Sequence, residues 1–129
     1  MHDVRPRISE ITMSPFIIWQ DNSGGVAAVV ADGYVDFDAA PALKQNIIRQ
    51  IDAGNRQLVI DLSAAEFIDS TAIGVLVGGL KRLQGAGGSL AIVCTNENIR
   101  NVFEIVGLGD VLPLHRSRDD AISALARAA

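Results

Sequence analysis

The chain carries one cysteine, two histidines, one tryptophan and one tyrosine in 129 residues. A single thiol, Cys94, cannot close an internal disulfide, and Cys94, His2 and His115 are too few for a zinc cluster. No metal or other cofactor is expected, and a reducing cytoplasm is the natural compartment. Positive charge is also short: 11 Lys plus Arg stand against 15 Asp plus Glu, for a formal net charge of -4. That sign opposes contact with a phosphate backbone, so nucleic acid is not an expected partner. Apolar runs such as Phe16 to Trp19 and Ala72 to Leu80 fall below the ~20 residues of a membrane-spanning helix, and no membrane partner is expected. The first ten residues, MHDVRPRISE, hold two arginines with no apolar stretch behind them, unlike a secretory signal. Residues 1–14 therefore read as a flexible polar tail and residues 15–129 as one folded domain.

Signatures of catalysis are missing too. Neither a GxxxxGK[ST] loop nor a GxGxxG turn follows a candidate strand, and GxSxG does not occur. Gly85-Ala86-Gly87-Gly88 is glycine-rich but follows a helical pattern, where a cap and turn belong. Cys94 ends an apolar strand with no cation beside it in sequence, as expected of a buried thiol, and His115 reads as a surface-loop histidine. An enzyme is not expected.

What the chain does have is apolar material, 49% of its residues, arranged in alternating patterns. Phe16 to Gln20 and Val26 to Ala31 flank the turn cluster Asp21-Asn22-Ser23-Gly24-Gly25, a hairpin signal, with Asp32-Gly33 closing the second strand. Ala40, Leu43, Ile47 and Ile51 then recur at helical spacing, with Asp38 as first-turn cap, Pro41 tolerated at the start and Gly54 beyond the end. Gln57 to Leu62 and Ser89 to Cys94 are short apolar runs typical of strands covered on both faces. Between them Ile73, Leu76, Val77, Leu80 and Leu83 form the stripe of a second helix, Ser70 to Gln84. Gly74 and Gly78, one turn apart on that helix, suggest close packing against the sheet. A third helix fits Glu97 to Val106 with Gly107 behind it, a short edge strand fits Val111 to Leu114, and Ser117 caps a terminal helix. The order predicts an α/β domain with about four helices on a mainly parallel sheet of four to five strands, extended by an N-terminal hairpin strand.

Polar groups concentrate in one place, Phe67-Ile68-Asp69-Ser70-Thr71-Ala72-Ile73-Gly74, where a helix starts near the carboxyl end of a central strand. Ligands and partners of open α/β sheets gather at such ends. Asp69, Ser70 and Thr71 are all good N-cap residues, and one of them has to cap the helix. A hydroxyl left over would be open to modification. A phosphate on Ser70 would lie beside free N–H groups at the positive end of the helix dipole, and would add about -1.5 to -2 charge next to Asp69.

The segment VIDLSAAEFIDSTAIGVLVGGLKRLQGAGGSLAIVC resembles the STAS domain of bacterial anti-sigma factor antagonists. Gly33-Tyr34-Val35-Asp36, Ala40-Pro41-Ala42-Leu43 and Asn101 to Leu108 extend the likeness over about residues 16 to 127. The resemblance implies a STAS-like fold and a partner-switching cycle. The unphosphorylated antagonist binds an anti-sigma factor of the GHKL ATPase type, a sigma factor is released, and that same partner phosphorylates the antagonist on serine; a serine phosphatase resets it. Carried across by position, Ser70 matches the phosphoacceptor, Asp69 the acidic residue before it, and Asp36 the acidic residue of the first loop. The implied partner face is Asp36, Asp69, Ser70, Thr71, Ile73 and Gly74. Two positions depart from the family pattern: Ala72 stands for a glycine and Tyr34 for an acidic residue. Alternative readings of the same crevice are a non-switching scaffold subunit of a regulatory complex and a small nucleotide-binding protein.

Overall fold

The computed structural model describes residues 16–23 and 25–128. The tail expected at residues 1–14 lies outside the described residues. The elements follow in the order β1 (Phe16–Asp21), β2 (Ala27–Val35), α1 (Ala40–Asp52), β3 (Gln57–Asp61), β4 (Ala65–Ile68), α2 (Ser70–Gly85), β5 (Ser89–Val93), α3 (Glu97–Ile105), β6 (Leu114–His115) and α4 (Arg118–Ala128). Strand order is β1-β2-β3-β5-β6, with β1 antiparallel to β2 and the other pairs parallel. The architecture is therefore the expected α/β domain with four helices and an N-terminal hairpin, on a six-stranded sheet.

The sixth strand has a physical cause that the sequence pattern hid. β2 does not close at Asp32-Gly33 but runs on to Val35. Its first half, Ala27 to Val30, pairs with β3; its second half, Gly33 to Val35, pairs with β4. The handover falls at Gly33, whose φ of 79° and register shift mark an irregularity that glycine accommodates without a Cβ clash. The Gly33 amide donates to the Ala64 carbonyl at 3.0 Å, which starts the new pairing. With both ends of Ala65–Ile68 buried and Glu66 and Phe67 exposed, β4 has no period-two alternation to betray it.

Both faces of the sheet are covered, as the continuous apolar runs of β3 and β5 require. Leu43 and Ile47 of α1, Leu76 and Leu83 of α2, and Phe103 of α3 pack on Val29, Leu58, Ile60 and Ile92. On the opposite face Ala121 and Leu125 of α4 cover Ala28, Val59, Ala91 and Val93. Ser117 accepts a hydrogen bond from the Asp120 amide at 3.1 Å and so caps α4 as expected. Cys94 is buried, and burial pushes its thiol pKa up, away from nucleophilic chemistry.

Several local expectations need correction. Asp38 does not cap α1: the N-cap position is Ala39, without a side-chain bond, and the Asp36 carboxylate instead accepts from the Asp38 and Ala39 amides. The edge strand is Leu114–His115 rather than Val111 to Leu114, because Pro113 has no N–H to contribute. His115 thus belongs to a strand, its carbonyl accepting from the Cys94 amide at 2.8 Å. Gly74 and Gly78 face outward, and a Cβ built on either meets nothing within 4 Å. The close approaches are elsewhere: a Cβ at Gly79 would come within 3.1 Å of Ile47 Cγ2, and one at Gly88 within 1.9 Å of the Arg56 carbonyl oxygen.

Two side chains fasten α4: Gln57 of β3, whose Nε2 donates to the Leu125 carbonyl at 3.0 Å, and Arg118 of the helix itself. Arg118 donates from Nε to Asp61 Oδ2 at 2.7 Å and from Nη1 to Asp21 Oδ2 at 2.9 Å, joining the helix to β3 and to β1. Asp61 is 7% exposed, and its other oxygen accepts from Ser63. Arg118→Ala leaves that carboxylate without its counter-charge. Partial exposure at Arg118 brings the expected loss of unfolding free energy to about 2 kcal/mol, below the ~3–5 kcal/mol of a fully buried pair. Hydrogen bonds from Ser23, with help from Arg118, hold the Asp21 pKa down at about 2. A depressed carboxylate stabilises the fold above its unfolded pKa and loses that contribution as pH falls through the folded value. The stability difference between wild type and Asp21→Asn, measured by urea unfolding, should be constant above about pH 5, shrink as pH falls towards 2 and vanish only below it.

Candidate functional site

The segment singled out in the sequence sits where β2 and β4 end side by side. Val35 is the register partner of Ile68, so the residues that follow, Asp36 and Asp69, leave the sheet at one edge. The Asp69 amide donates to the Val35 carbonyl at 3.3 Å, the last rung before the strands diverge.

Asp69 is the N-cap of α2. Its Oδ1 accepts from the Ala72 amide at 2.9 Å, and its backbone is extended, as the cap position demands. Its Oδ2 reaches across to the Phe37 amide, also at 2.9 Å. One carboxylate thereby fixes the helix start and the loop between β2 and α1. Asp36 completes that loop from within, through the amides of Asp38 and Ala39. Ala72 is helical and buried, so the departure from glycine at this position brings no backbone strain.

Because Asp69 caps, neither hydroxyl is needed for it. Ser70 and Thr71 are both exposed in the first turn, and the Ser70 hydroxyl makes no hydrogen bond among the described residues. The structure brings Asp36, Asp69, Ser70 and Thr71 together. Gly74 lies on the same helix one turn on and is exposed, whereas Ile73, expected on this face, is 5% exposed and packs into the core.

Three aromatic side chains are exposed in the segments that lead to this site. Tyr34 and Phe67 are register partners on β2 and β4, with ring centroids 5.9 Å apart and planes at 30°. Phe37, held through its amide by Asp69, is 65% exposed. Sequence reasoning gave Phe37 no role. Its signal is Asp-Phe-Asp, an aromatic between two acidic residues with no apolar neighbour to draw it into a core. Glu66 and Asp38, the sequence neighbours of Phe67 and Phe37, are exposed as well.

A doubly covered, mainly parallel sheet with an N-terminal hairpin, and a capped helix starting where β2 and β4 end, defines a small single-sheet α/β domain. The sequence pattern of the STAS domain matches residues 21–121, and the chain belongs to that family. It is 30% identical over 104 residues to BtrV of Bordetella bronchiseptica, described as a candidate anti-sigma factor antagonist, covering 81% of this chain and 90% of the relative. It is also 30% identical over 90 residues to the anti-sigma-B factor antagonist of Bacillus subtilis, covering 70% and 82%. The crystal structure of an anti-sigma factor antagonist from Mycobacterium paratuberculosis aligns with a TM-score of 0.78 at 31% identity, over 86% of this chain and 94% of that one.

The double role of Asp69 is testable. Asp69→Ala removes the cap and the tie to Phe37, and should lower stability by about 2 kcal/mol, roughly 1 for each hydrogen-bonded group. Amide exchange should quicken at Ala72 and Phe37 together. Protection unchanged at Phe37 would separate the loop from the helix cap.

Proposed function

We propose that the protein is an anti-sigma factor antagonist that is switched off by phosphorylation of Ser70. The observation that carries the reading is the division of labour at the head of α2: Asp69 does the capping, which leaves the adjacent hydroxyl exposed and unbonded. The names of the relatives support the class of function.

The chemistry asks little of this chain. The Ser70 oxygen attacks the γ-phosphorus of ATP held by a GHKL-type kinase, the bond to the bridging oxygen breaks, and ADP leaves; a base on the kinase takes the hydroxyl proton. Around Ser70 the first-turn amides of Ser70 and Thr71 have no intrahelical acceptor, so they and the helix dipole can accommodate the product phosphate. The helix need not unfold. The added charge, about -1.5 to -2, falls beside Asp69, and a partner surface matched to the uncharged serine is repelled.

In this reading Tyr34, Phe37 and Phe67 are apolar anchors of the complex, Asp36 and Asp69 set the loop that presents them, and Thr71 and Gly74 extend the contact along α2. The partner is an anti-sigma factor that is also the serine kinase, a serine phosphatase resets the cycle, and the setting is the bacterial cytoplasm. Incubation with the cognate kinase and labelled ATP should label Ser70 stoichiometrically and leave Ser70→Ala unlabelled. Ser70→Asp should weaken partner binding at least tenfold, about 1.4 kcal/mol, while Ser70→Ala binds as wild type. An aspartate variant that binds normally would overturn the switch.

A further inference from the structure

On the outer side of α1 and α2, away from the sheet, lies a groove of about 320 Å³. Its closest point is Gly79, where the helices touch at Ile47. Ile47, Ile48 and Val75 give it apolar walls, and Gly74 and Gly78 form its floor. Glycine inside a helix costs about 1 kcal/mol relative to alanine, and a Cβ at either floor position meets nothing within 4 Å. Packing within the domain therefore does not require these two glycines; their effect is to keep the groove open.

The charge around the groove runs against that of the molecule. The chain has a formal net charge of -4, yet Lys44 and Arg82 line the groove and no carboxylate does among the described residues. Neither cation forms an ion pair among the described residues. Both helices run back from the carboxyl ends of parallel strands, so their N-termini lie at the same end of the groove. With Ile47 against Gly79, Lys44 lies one turn towards those N-termini and Arg82 lies towards the other end. The Lys44 end also takes the positive ends of two helix dipoles.

We propose that this groove binds an amphiphilic anion: one aliphatic chain ending in a carboxylate, its head at Lys44 and its chain along the Gly74–Gly78 floor. The volume is at the lower end of small-ligand pockets, and apolar walls with one or two placed charges are the pattern such pockets show. Occupancy needs neither a phosphorylated Ser70 nor a protein partner, so this site stands or falls independently of the switch.

The test is a chemical-shift titration of the isotopically labelled full chain with decanoate, held below its micelle concentration. Saturable shifts confined to α1 and α2 are expected, with no response to decyltrimethylammonium. Lys44→Gln should weaken decanoate binding about tenfold, the scale of one hydrogen bond to a charged group. Gly78→Leu, which fills the floor, should abolish binding while leaving the melting temperature equal or higher. Absence of saturable shifts, an equal response to the cationic amphiphile, or wild-type binding by Gly78→Leu would each overturn the proposal. Binding to phosphatidylglycerol vesicles without binding to decanoate would also overturn it, assigning the two cations to a lipid surface instead.

Discussion

The Asp69 carboxylate is the point on which the structure at the ends of β2 and β4 depends. A helix N-terminus leaves amides without partners, and a serine next to one ordinarily folds back to satisfy them. Here an aspartate one residue earlier takes that duty with one oxygen and uses the other to hold the amide of Phe37. Three consequences share this one cause: α2 starts at a fixed residue, the loop after β2 is tied to it, and the Ser70 hydroxyl is left free. An alanine or leucine at position 69 would undo all three together, which is why this acidic residue has a structural reason to precede the serine before any partner is considered.

Much of this was legible in the sequence because the signals are periodic. The stripes of α1 and α2 and the continuous runs of β3 and β5 were each located to within a residue or two, and the two-sided burial of the central strands follows from the absence of alternation. The Asp-Ser-Thr cluster marks the start of α2, where Asp69 supplies the cap. The failures have equally physical causes. β4 is four residues long with exposed residues at its centre, so no pattern announces it, and β2 looked finished at Gly33 because glycine usually ends a strand rather than bending one between two partners. Gly74 and Gly78 looked like close-packing residues because a sequence cannot say which side of a helix a glycine faces; the buried one is the neighbour, Gly79. Phe37 escapes a reading of the sequence because its placement depends on a hydrogen bond that its amide donates to a residue 32 positions away.

The two sides of α2 differ in sign. Around the ends of β2 and β4 the exposed side chains include Tyr34, Phe37, Phe67 and several carboxylates; towards α1 the groove is aliphatic with Lys44 and Arg82 in its lining. A helix that separates two such environments presents two ligands of opposite character with mostly different residues. Thr71 and Gly74 alone belong to both, in the first two turns.

The Arg118 latch also orders events during synthesis. Its two acceptors, Asp21 and Asp61, precede it by 97 and 57 residues, so the contact that fastens α4 is among the least local in the molecule. As the chain leaves the ribosome, the hairpin, β3, β5 and the helices of the first face can all assemble while the opposite face of the sheet, Ala28, Val59, Ala91 and Val93, is still bare. That apolar strip stays open to solvent, or to a chaperone, until residues from 118 onward emerge, and the same arginine that closes it ends the interval during which the nascent domain is most prone to aggregate.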